Sequence, residues 1–331
     1  MKLKVLELFG GIGACTKALK NIGVDYEVVD YVEIDKFAVK SYNAINETSF
    51  VPQNILDWNK HLNIDLIMHG SPCQDFSVNG KQRGGDIGSG TRSSLMYETL
   101  RIVGDLKPKY VIWENVKNLL SKKHRHNFDN YLTYMSTLGY QNYYKVLNAK
   151  YFGIPQNRER VFTVSIRNDI NVEFEFPKEQ SLTLRMGDFE DKHADECYYF
   201  SDDRLITIAN WGTFIQPLSK VCGKNSIMPT VTAGESHGSS GGMILYCSQL
   251  NDTSNVVDYC LRIKDHSLDA NKLRIRRITP KESWKLMGFS DDDYNKASSV
   301  NSRTQLYKQA GNSIVVNVLM AIFTKLFVTN E

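Results

Sequence analysis

The chain has 331 residues, 42% hydrophobic and 23% charged, with a formal net charge of +3. That length supports a large core and a second, smaller module, while the small net charge excludes a global basic field, so a polyanionic partner has to be met by local patches. No apolar run reaches the ~18 residues of a membrane span. The start Met1-Lys2-Leu3-Lys4-Val5-Leu6-Glu7 is no signal peptide, and six scattered cysteines without a C-x-x-C pair or zinc spacing suit a reducing cytoplasm and no metal site.

In chain order, short apolar or β-branched runs alternate with helical spacing as far as about residue 170. Residues 5–9 read as a strand that opens into Gly10-Gly11-Ile12-Gly13, 14–22 as a helix, 26–32 as a strand ending at Glu33, and 36–43 as a helix. Strands are predicted again over 62–68, 110–113, 143–147 and 161–166, with helices over 94–106 and 128–138. Such alternation predicts an α/β fold with a doubly wound, mostly parallel sheet, and near-continuous apolar strands fit a sheet covered on both faces. After Pro177 the alternation is lost, and 181–270, rich in Gly, Ser and Asn, reads as a smaller irregular module. Regular structure returns from 273. Thr279, Pro280 at the first helical position and Glu282 form a capping box. Val315, Leu319, Ile322 and Leu326 form a helical apolar stripe that needs a core to bury in. The expected division is therefore 1–180, 181–270 and 271–331, with the last segment packing back on the first.

Four constellations carry chemistry. Phe9-Gly10-Gly11-Ile12-Gly13-Ala14 lies between a strand and a helix, where glycines admit a ligand close to the backbone. Glu33, about twenty residues on at the next strand end, suits ribose hydroxyls, so the pair points to a nucleoside-containing cofactor. Thr16 stands where a dinucleotide fingerprint would carry its last glycine, which counts against a nicotinamide-dependent dehydrogenase. Gly70-Ser71-Pro72-Cys73-Gln74-Asp75-Phe76-Ser77 puts a thiol at the carboxyl end of a buried strand, in a turn that Pro72 makes rigid; such a thiol reads as a nucleophile. Glu114 closes another strand, where partial desolvation favours its protonated form. Before the strand at 161, Gln156, Arg158 and Arg160 share one face if the approach is extended, and Glu159 takes the other. Two guanidiniums on one face suit carbonyl oxygens and phosphates. The glycine-rich stretch 79–93 reads as a lid over the site.

These motifs, in this order, resemble those of the DNA cytosine-5 methyltransferases of bacterial and phage type. The likeness runs through Leu8-Phe9-Gly10, Gly70–Ser77, Glu114-Asn115-Val116, Gln156–Arg160, Arg277–Glu282, Met287-Gly288-Phe289 and 305–313, and leaves out only 181–270. It implies a Rossmann-like domain that uses S-adenosylmethionine, with Phe9, Gly11, Ile12, Glu33, Ile34, Asn54, Ile55, Pro72, Leu95, Asn312 and Ser313 around the cofactor. It implies a cytosine flipped out of duplex DNA, attacked at C6 by Cys73, contacted at N3 and its amine by Glu114, and held at O2 by Arg160 with help from Arg158. Asn54 stands where the family usually has an acid for the adenine amine, and Ala14 replaces a frequent glycine. Neither departure touches the bond-making residues, so an active enzyme is expected.

In that family the module before the final segment reads the target sequence; here it is 181–270, with Pro229-Thr230-Val231-Thr232-Ala233-Gly234 resembling its core. The module holds 7 Lys and Arg against 12 Asp and Glu, a net of −5, so phosphate contacts are expected elsewhere, from Lys272, Arg274, Arg276, Arg277 and the run Lys122-Lys123-His124-Arg125-His126. Ser77, Arg83, Arg92, Gln156 and Thr230 complete the expected DNA contacts. The implied partner is double-stranded DNA, with room for a cognate restriction endonuclease; the expected state is a monomer in the cytoplasm of a bacterial or phage-infected cell, at the nucleoid. A tRNA cytosine-5 methylase commonly carries Pro-Pro-Cys-Gln-Pro at the thiol, and Ser71 and Asp75 argue instead for DNA.

Overall fold

The computed structural model describes residues 2–72, 92–210, 221–234, 244–267 and 273–328. In chain order its strands and α-helices are β1 (Leu3–Leu8), α1 (Ala14–Asn21), β2 (Tyr26–Val32), α2 (Lys36–Asn46), β3 (Leu66–His69), α3 (Met96–Leu106), β4 (Tyr110–Val116), α4 (Arg125–Thr137), β5 (Tyr140–Asn148), β6 (Glu159–Arg167), α5 (Met186–Phe189), α6 (Asp202–Asn210), β7 (Leu245–Tyr246), α7 (Val257–Lys264), β8 (Arg276–Arg277), α8 (Pro280–Lys285), α9 (Asp291–Ser298), α10 (Arg303–Asn312) and α11 (Val316–Phe323). The expected strands and helices of the first 170 residues are all present, with ends that differ by up to four residues.

The main sheet has the order β2-β1-β3-β4-β6-β5. β1, β2, β3 and β4 pair in parallel, and β6 runs antiparallel to both β4 and β5. Alternation along each strand divides the side chains between two faces. Leu6, Leu8, Ile67, Val111 and Trp113 join Met96, Leu100, Phe128 and Tyr131 of α3 and α4 in one continuous core. On the other face α1 packs against α11, and there Glu7 and Tyr31 are buried. The strand order reverses direction between β1 and β3, so the loops leaving their carboxyl ends, Gly10-Gly11 and Gly70-Ser71, open at the switch point where ligands of such sheets bind.

The described residues form two compact units, one drawn from 2–148, 159–179 and 314–328, the other from 149–158 and 180–313. The boundary at 179/180 falls within a residue of the expected one at 180/181, while the later boundary lies at 313/314 in place of 270/271 and 149–158 joins the second unit. Val315, Leu319, Ile322 and Leu326 are buried as the stripe requires, and this part of the C-terminal segment belongs to the first unit. Residues 273–313 belong to the second because they satisfy one another there: Trp284 Nε1 donates to Leu306 O at 2.9 Å, and Tyr307 OH donates to Ile278 O at 2.5 Å. The capping box forms as expected, Thr279 Oγ1 accepting from Glu282 N and the Glu282 carboxylate from Thr279 N. Leu205, Ile208, Val221, Leu245, Cys247, Val256, Cys260 and Ile275 make the second unit's own small core. The stretch Arg303–Val328 is apolar and long enough to cross a membrane by length and composition. It is broken at Ser313 into α10 and α11, and its apolar residues Leu306, Ala310, Val316, Leu319 and Ile322 are core residues.

Candidate active site

The glycine turn after β1 is held by β2. Gly11 N donates to Glu33 Oε2 at 3.1 Å, Asp35 N donates to Glu33 Oε1 at 2.8 Å, and Tyr31 OH donates to Gly11 O at 2.5 Å. Gly11 and Gly13 take φ of 55° and 84°, and Phe9 shares the left-handed region at 54°. Burial pushes the Glu33 carboxyl above the usual carboxylate range, and the Asp35 and Gly11 N–H groups pull it back. With backbone donors at Gly11, Ile34 and Asp35, the four lone pairs of the Glu33 carboxylate still leave acceptor capacity. A Cβ added at Gly11 would meet nothing within 4 Å, so the turn faces open space. Ile34, next to Glu33, is 68% exposed, a large apolar surface left uncovered. An acceptor carboxylate, an open glycine turn and an exposed apolar side chain together fit a nucleoside-bearing methyl donor.

The other expected cofactor residues divide by burial. Ile12 and Ile55 put their side chains in the core, and Phe9 and Leu95 pack against it. Asn54 caps a short 3-10 turn, its Oδ1 accepting from Leu56 N at 3.2 Å, so part of the acceptor capacity expected for an adenine amine is used locally. Thr16 is buried and donates to Glu7, an interior role that explains why no glycine is needed there. Asn312 ends α10, and Ser313 N donates to Ala310 O at 3.1 Å in the second unit.

Between β3 and β4 lies the second cluster. Residue 114 pairs with Phe162 across the antiparallel ladder, which makes Arg160 its diagonal neighbour on the same face. Arg160 Nε stands 3.1 Å from Glu114 Oε1, and Glu114 is 9% exposed. Glu114 Oε2 lies 3.9 Å from where a Cβ on Gly70 would be, so the carboxylate reaches the start of the segment Gly70-Ser71-Pro72. That segment is anchored from β4: Trp113 Nε1 donates to Ser71 Oγ at 2.9 Å and Asn115 Nδ2 to Ser71 O at 3.3 Å. Behind it His69 is fully buried, stacked on Trp113, with Nε2 3.0 Å from Tyr131 OH. Burial alone pushes the His69 imidazole down to about 3, so it is neutral at physiological pH. Trp113 and His69 carry no functional signal in the sequence, since a tryptophan or histidine in an apolar strand reads as core, and the sequence marks Ser71 only as part of the thiol motif. Cys73, Ser77 and Arg83 lie outside the described residues, as do the Arg92 side chain and Lys272.

Three expected contacts are corrected. Gln156 and Arg158 are buried while Asn157 and Glu159 are exposed, so the predicted alternation holds, but the buried pair serves the protein itself. Gln156 Nε2 donates to Leu286 O at 2.8 Å and its Oε1 accepts from Val231 N at 2.9 Å. Arg158 donates to Val231 O at 2.9 Å, Gly311 O at 3.2 Å and Ser313 O at 2.8 Å. Neither guanidinium nor amide is presented to a base; both pin the segment around Val231 to α8 and to the end of α10. Packing there is tight enough that a Cβ on Gly311 would come within 2.1 Å of Thr232 C and Ala233 N. Arg276 is 2% exposed and forms a two-pronged ion pair with Glu282, at 2.7 and 2.6 Å, so it is no phosphate contact. Arg277 is partly exposed, 5.8 Å from the Phe200 ring, Thr230 donates to Asn157 O, and Arg274 pairs with Glu196.

Comparison with known proteins gives this geometry its family. Residues 3–328 match the family model described as C-5 cytosine-specific DNA methylase. The type II methyltransferase M2.ScrFI of Lactococcus lactis subsp. cremoris is 33% identical over 98% of this chain and 99% of its own. Type II methyltransferase M.HhaI of Haemophilus parahaemolyticus is 31% identical over 97% of this chain and 93% of its own. The orphan methyltransferase M.SPRI of Bacillus phage SPR is 30% identical over 99% and 98%. Among solved structures, Entamoeba histolytica methyltransferase EhMeth superposes with a TM-score of 0.77 at 19% identity, covering 99% of this chain and 98% of that one. A Spodoptera frugiperda DNMT2 variant gives 0.75 at 24%, covering 98% and 100%; both support the Rossmann-like fold. The chain belongs to the C-5 cytosine-specific DNA methylase family, whose members transfer a methyl group from S-adenosylmethionine to C5 of cytosine in DNA.

Proposed function

We propose that the reaction is centred on Cys73, Glu114 and Arg160, acting on a cytosine flipped from a specific site in duplex DNA. The observation that carries this reading is the Glu114–Arg160 pair, 3.1 Å apart at the carboxyl end of β4, with the second carboxylate oxygen turned toward Gly70. Arg160 fixes the rotamer of Glu114 and is itself positioned to reach a carbonyl oxygen beside it. In the proposed sequence the Cys73 thiolate adds to C6, Glu114 meets N3 and the exocyclic amine, and Arg160 holds O2, so that electron density collects at C5. An aromatic C5 is a poor nucleophile until C6 has been attacked. S-adenosylmethionine, when bound, supplies an electrophilic methyl group. Loss of the C5 proton then re-forms the double bond and expels the thiolate.

Glu33 would hold the ribose of the cofactor, Ile34 its adenine face, and the backbone at Phe9, Gly11 and Ile12 the remainder, with Pro72, Leu95, Asn54, Ile55, Asn312 and Ser313 completing the site. Arg158 acts as a positioning residue. The region 181–270 reads the target, and Thr230 within it and Arg277 just beyond it remain candidate DNA contacts. The protein is proposed to work as a monomer in the cytoplasm of a bacterial or phage-infected cell, at the nucleoid, with or without a cognate restriction endonuclease.

A duplex carrying 5-fluorocytosine tests the centre, since fluorine at C5 blocks elimination and should leave the DNA covalently attached to the parent protein and not to Cys73→Ser. Failure of the parent protein to trap any methylated duplex would refute the assignment. Labelled methyl transfer to tRNA in place of duplex DNA would refute the substrate, and bisulfite sequencing of an expressing host gives the sequence context.

A further inference from the structure

One aromatic side chain beside the glycine turn has no part in the chemistry above. Tyr31 is fully buried, yet its hydroxyl is spent on a single backbone acceptor, Gly11 O, at 2.5 Å. The peptide joining Gly11 to Ile12 is planar and trans, so its carbonyl and the following N–H point in opposite directions. Holding the carbonyl against Tyr31 therefore turns the Ile12 N–H away from the ring. α1 begins at Ala14, so this donor lies at the positive end of the helix dipole.

The ring itself is fixed. It stacks on Tyr42 at 3.9 Å, with Phe50 at 5.6 Å. Tyr42 OH is 3.1 Å from Glu7 Oε1 and 3.0 Å from Thr16 Oγ1. The turn is shaped to admit both rings. A Cβ at Gly10 would stand 2.6 Å from the Tyr31 ring, and one at Gly13 2.8 Å from the Tyr42 ring. The first distance makes glycine at 10 and tyrosine at 31 mutually dependent.

We infer that Tyr31 is a positioning residue for the methyl donor: its hydroxyl sets the Gly11–Ile12 peptide so that the Ile12 N–H is presented to an oxygen acceptor of the cofactor. This rests on the cofactor lying at Gly11 and Glu33. The test is calorimetric titration of S-adenosylmethionine and, separately, of duplex DNA into the full-length protein and its variants. Tyr31→Phe keeps the stacked ring and removes one neutral hydrogen bond, so the cofactor Kd should rise roughly three- to tenfold, with kcat at saturating cofactor and DNA Kd changed little and Tm lowered only by the few degrees that one buried hydrogen bond accounts for. Gly10→Ala should raise the cofactor Kd in the parent and have a much smaller effect in a Tyr31→Ala background, where no ring has to move and only the Glu7 Cβ contact at 3.2 Å remains.

Glu33→Ala separates the two readings. If it raises the cofactor Kd while Tyr31→Phe stays within twofold of the parent, the role of Tyr31 is overturned and the site stands. If neither variant changes the Kd, the site itself is wrong. A Tyr31→Phe protein whose DNA Kd and Tm deteriorate in step with its cofactor Kd would make the tyrosine a general structural residue and overturn the inference as well.

Discussion

Glu7 is a carboxylic acid one residue before the end of β1, 1% exposed, and burial raises it from 4.5 to about 7. The folded chain therefore keeps this proton up to about pH 7, whereas the unfolded chain gives it up near pH 4.5. Between those values the folded state binds more protons, so stability falls as pH rises. A difference of about 2.5 units corresponds to roughly 3 kcal/mol, absent below pH 4.5 and fully incurred above pH 7. His69 works in the opposite sense. Its imidazole falls from 6.5 to about 3 on folding, so it contributes stability that is complete above pH 6.5 and lost as pH falls toward 3. These two opposed slopes add to those of other shifted groups, Glu33 and Asp30 among them, and the difference between parent and Glu7→Gln isolates the first. Urea unfolding of both proteins at pH 5, 6, 7 and 8, followed by tryptophan fluorescence, measures it. The Gln protein should gain on the parent by about 2.5 kcal/mol between pH 5 and 8 at unchanged m. Parallel pH profiles would refute the reasoning, because they would mean that Glu7 is ionised in the folded chain throughout.

Arg276→Leu leaves the Glu282 carboxylate buried without its cation and should destabilise the second unit by about 3–5 kcal/mol; the salt dependence of DNA binding should stay unchanged, and a slope shallower by about one unit would restore Arg276 as a phosphate contact. Arg158→Lys cannot span Val231 O, Gly311 O and Ser313 O from one amine, so unfolding should become easier by about 2 kcal/mol or more, read by urea titration; full retention of stability would argue against the clamp. Gly311→Ala drives a methyl group into the backbone of Thr232 and Ala233, and overpacking of about 3 kcal/mol or more is expected, visible as a lowered Tm. Trp113→Phe keeps the ring against Tyr131 and removes the donor to Ser71; the rate of 5-fluorocytosine trapping should fall while the cofactor Kd holds, and an unaltered trapping rate would free Ser71 from any part in aligning the thiol.

The residues that sequence placed correctly share a local cause. The glycine turn, the acid twenty residues on, the capping box at Thr279 and the stripe from Val315 to Leu326 depend on contacts within a few positions or on one strand-to-helix unit, and their spacing is itself the geometry. The alternation of Gln156, Arg158 and Arg160 is of the same kind, and its burial pattern came out as the extended backbone requires.

What those side chains meet is another matter. Arg158 finds its acceptors 73, 153 and 155 positions away along the chain, and Gln156 is joined to Leu286 across 130. An arginine in a sequence announces a charge and five donors; it carries no sign of whether water, a phosphate or three buried carbonyls will receive them. The likeness to a family supplied the reaction, and the order of strands supplied the place proposed for it. The chain packing back on itself alone decided that Arg160 reaches Glu114 while Arg158 and Arg276 are used up inside the protein, because burial is a property of the whole fold and periodicity is a property of the segment.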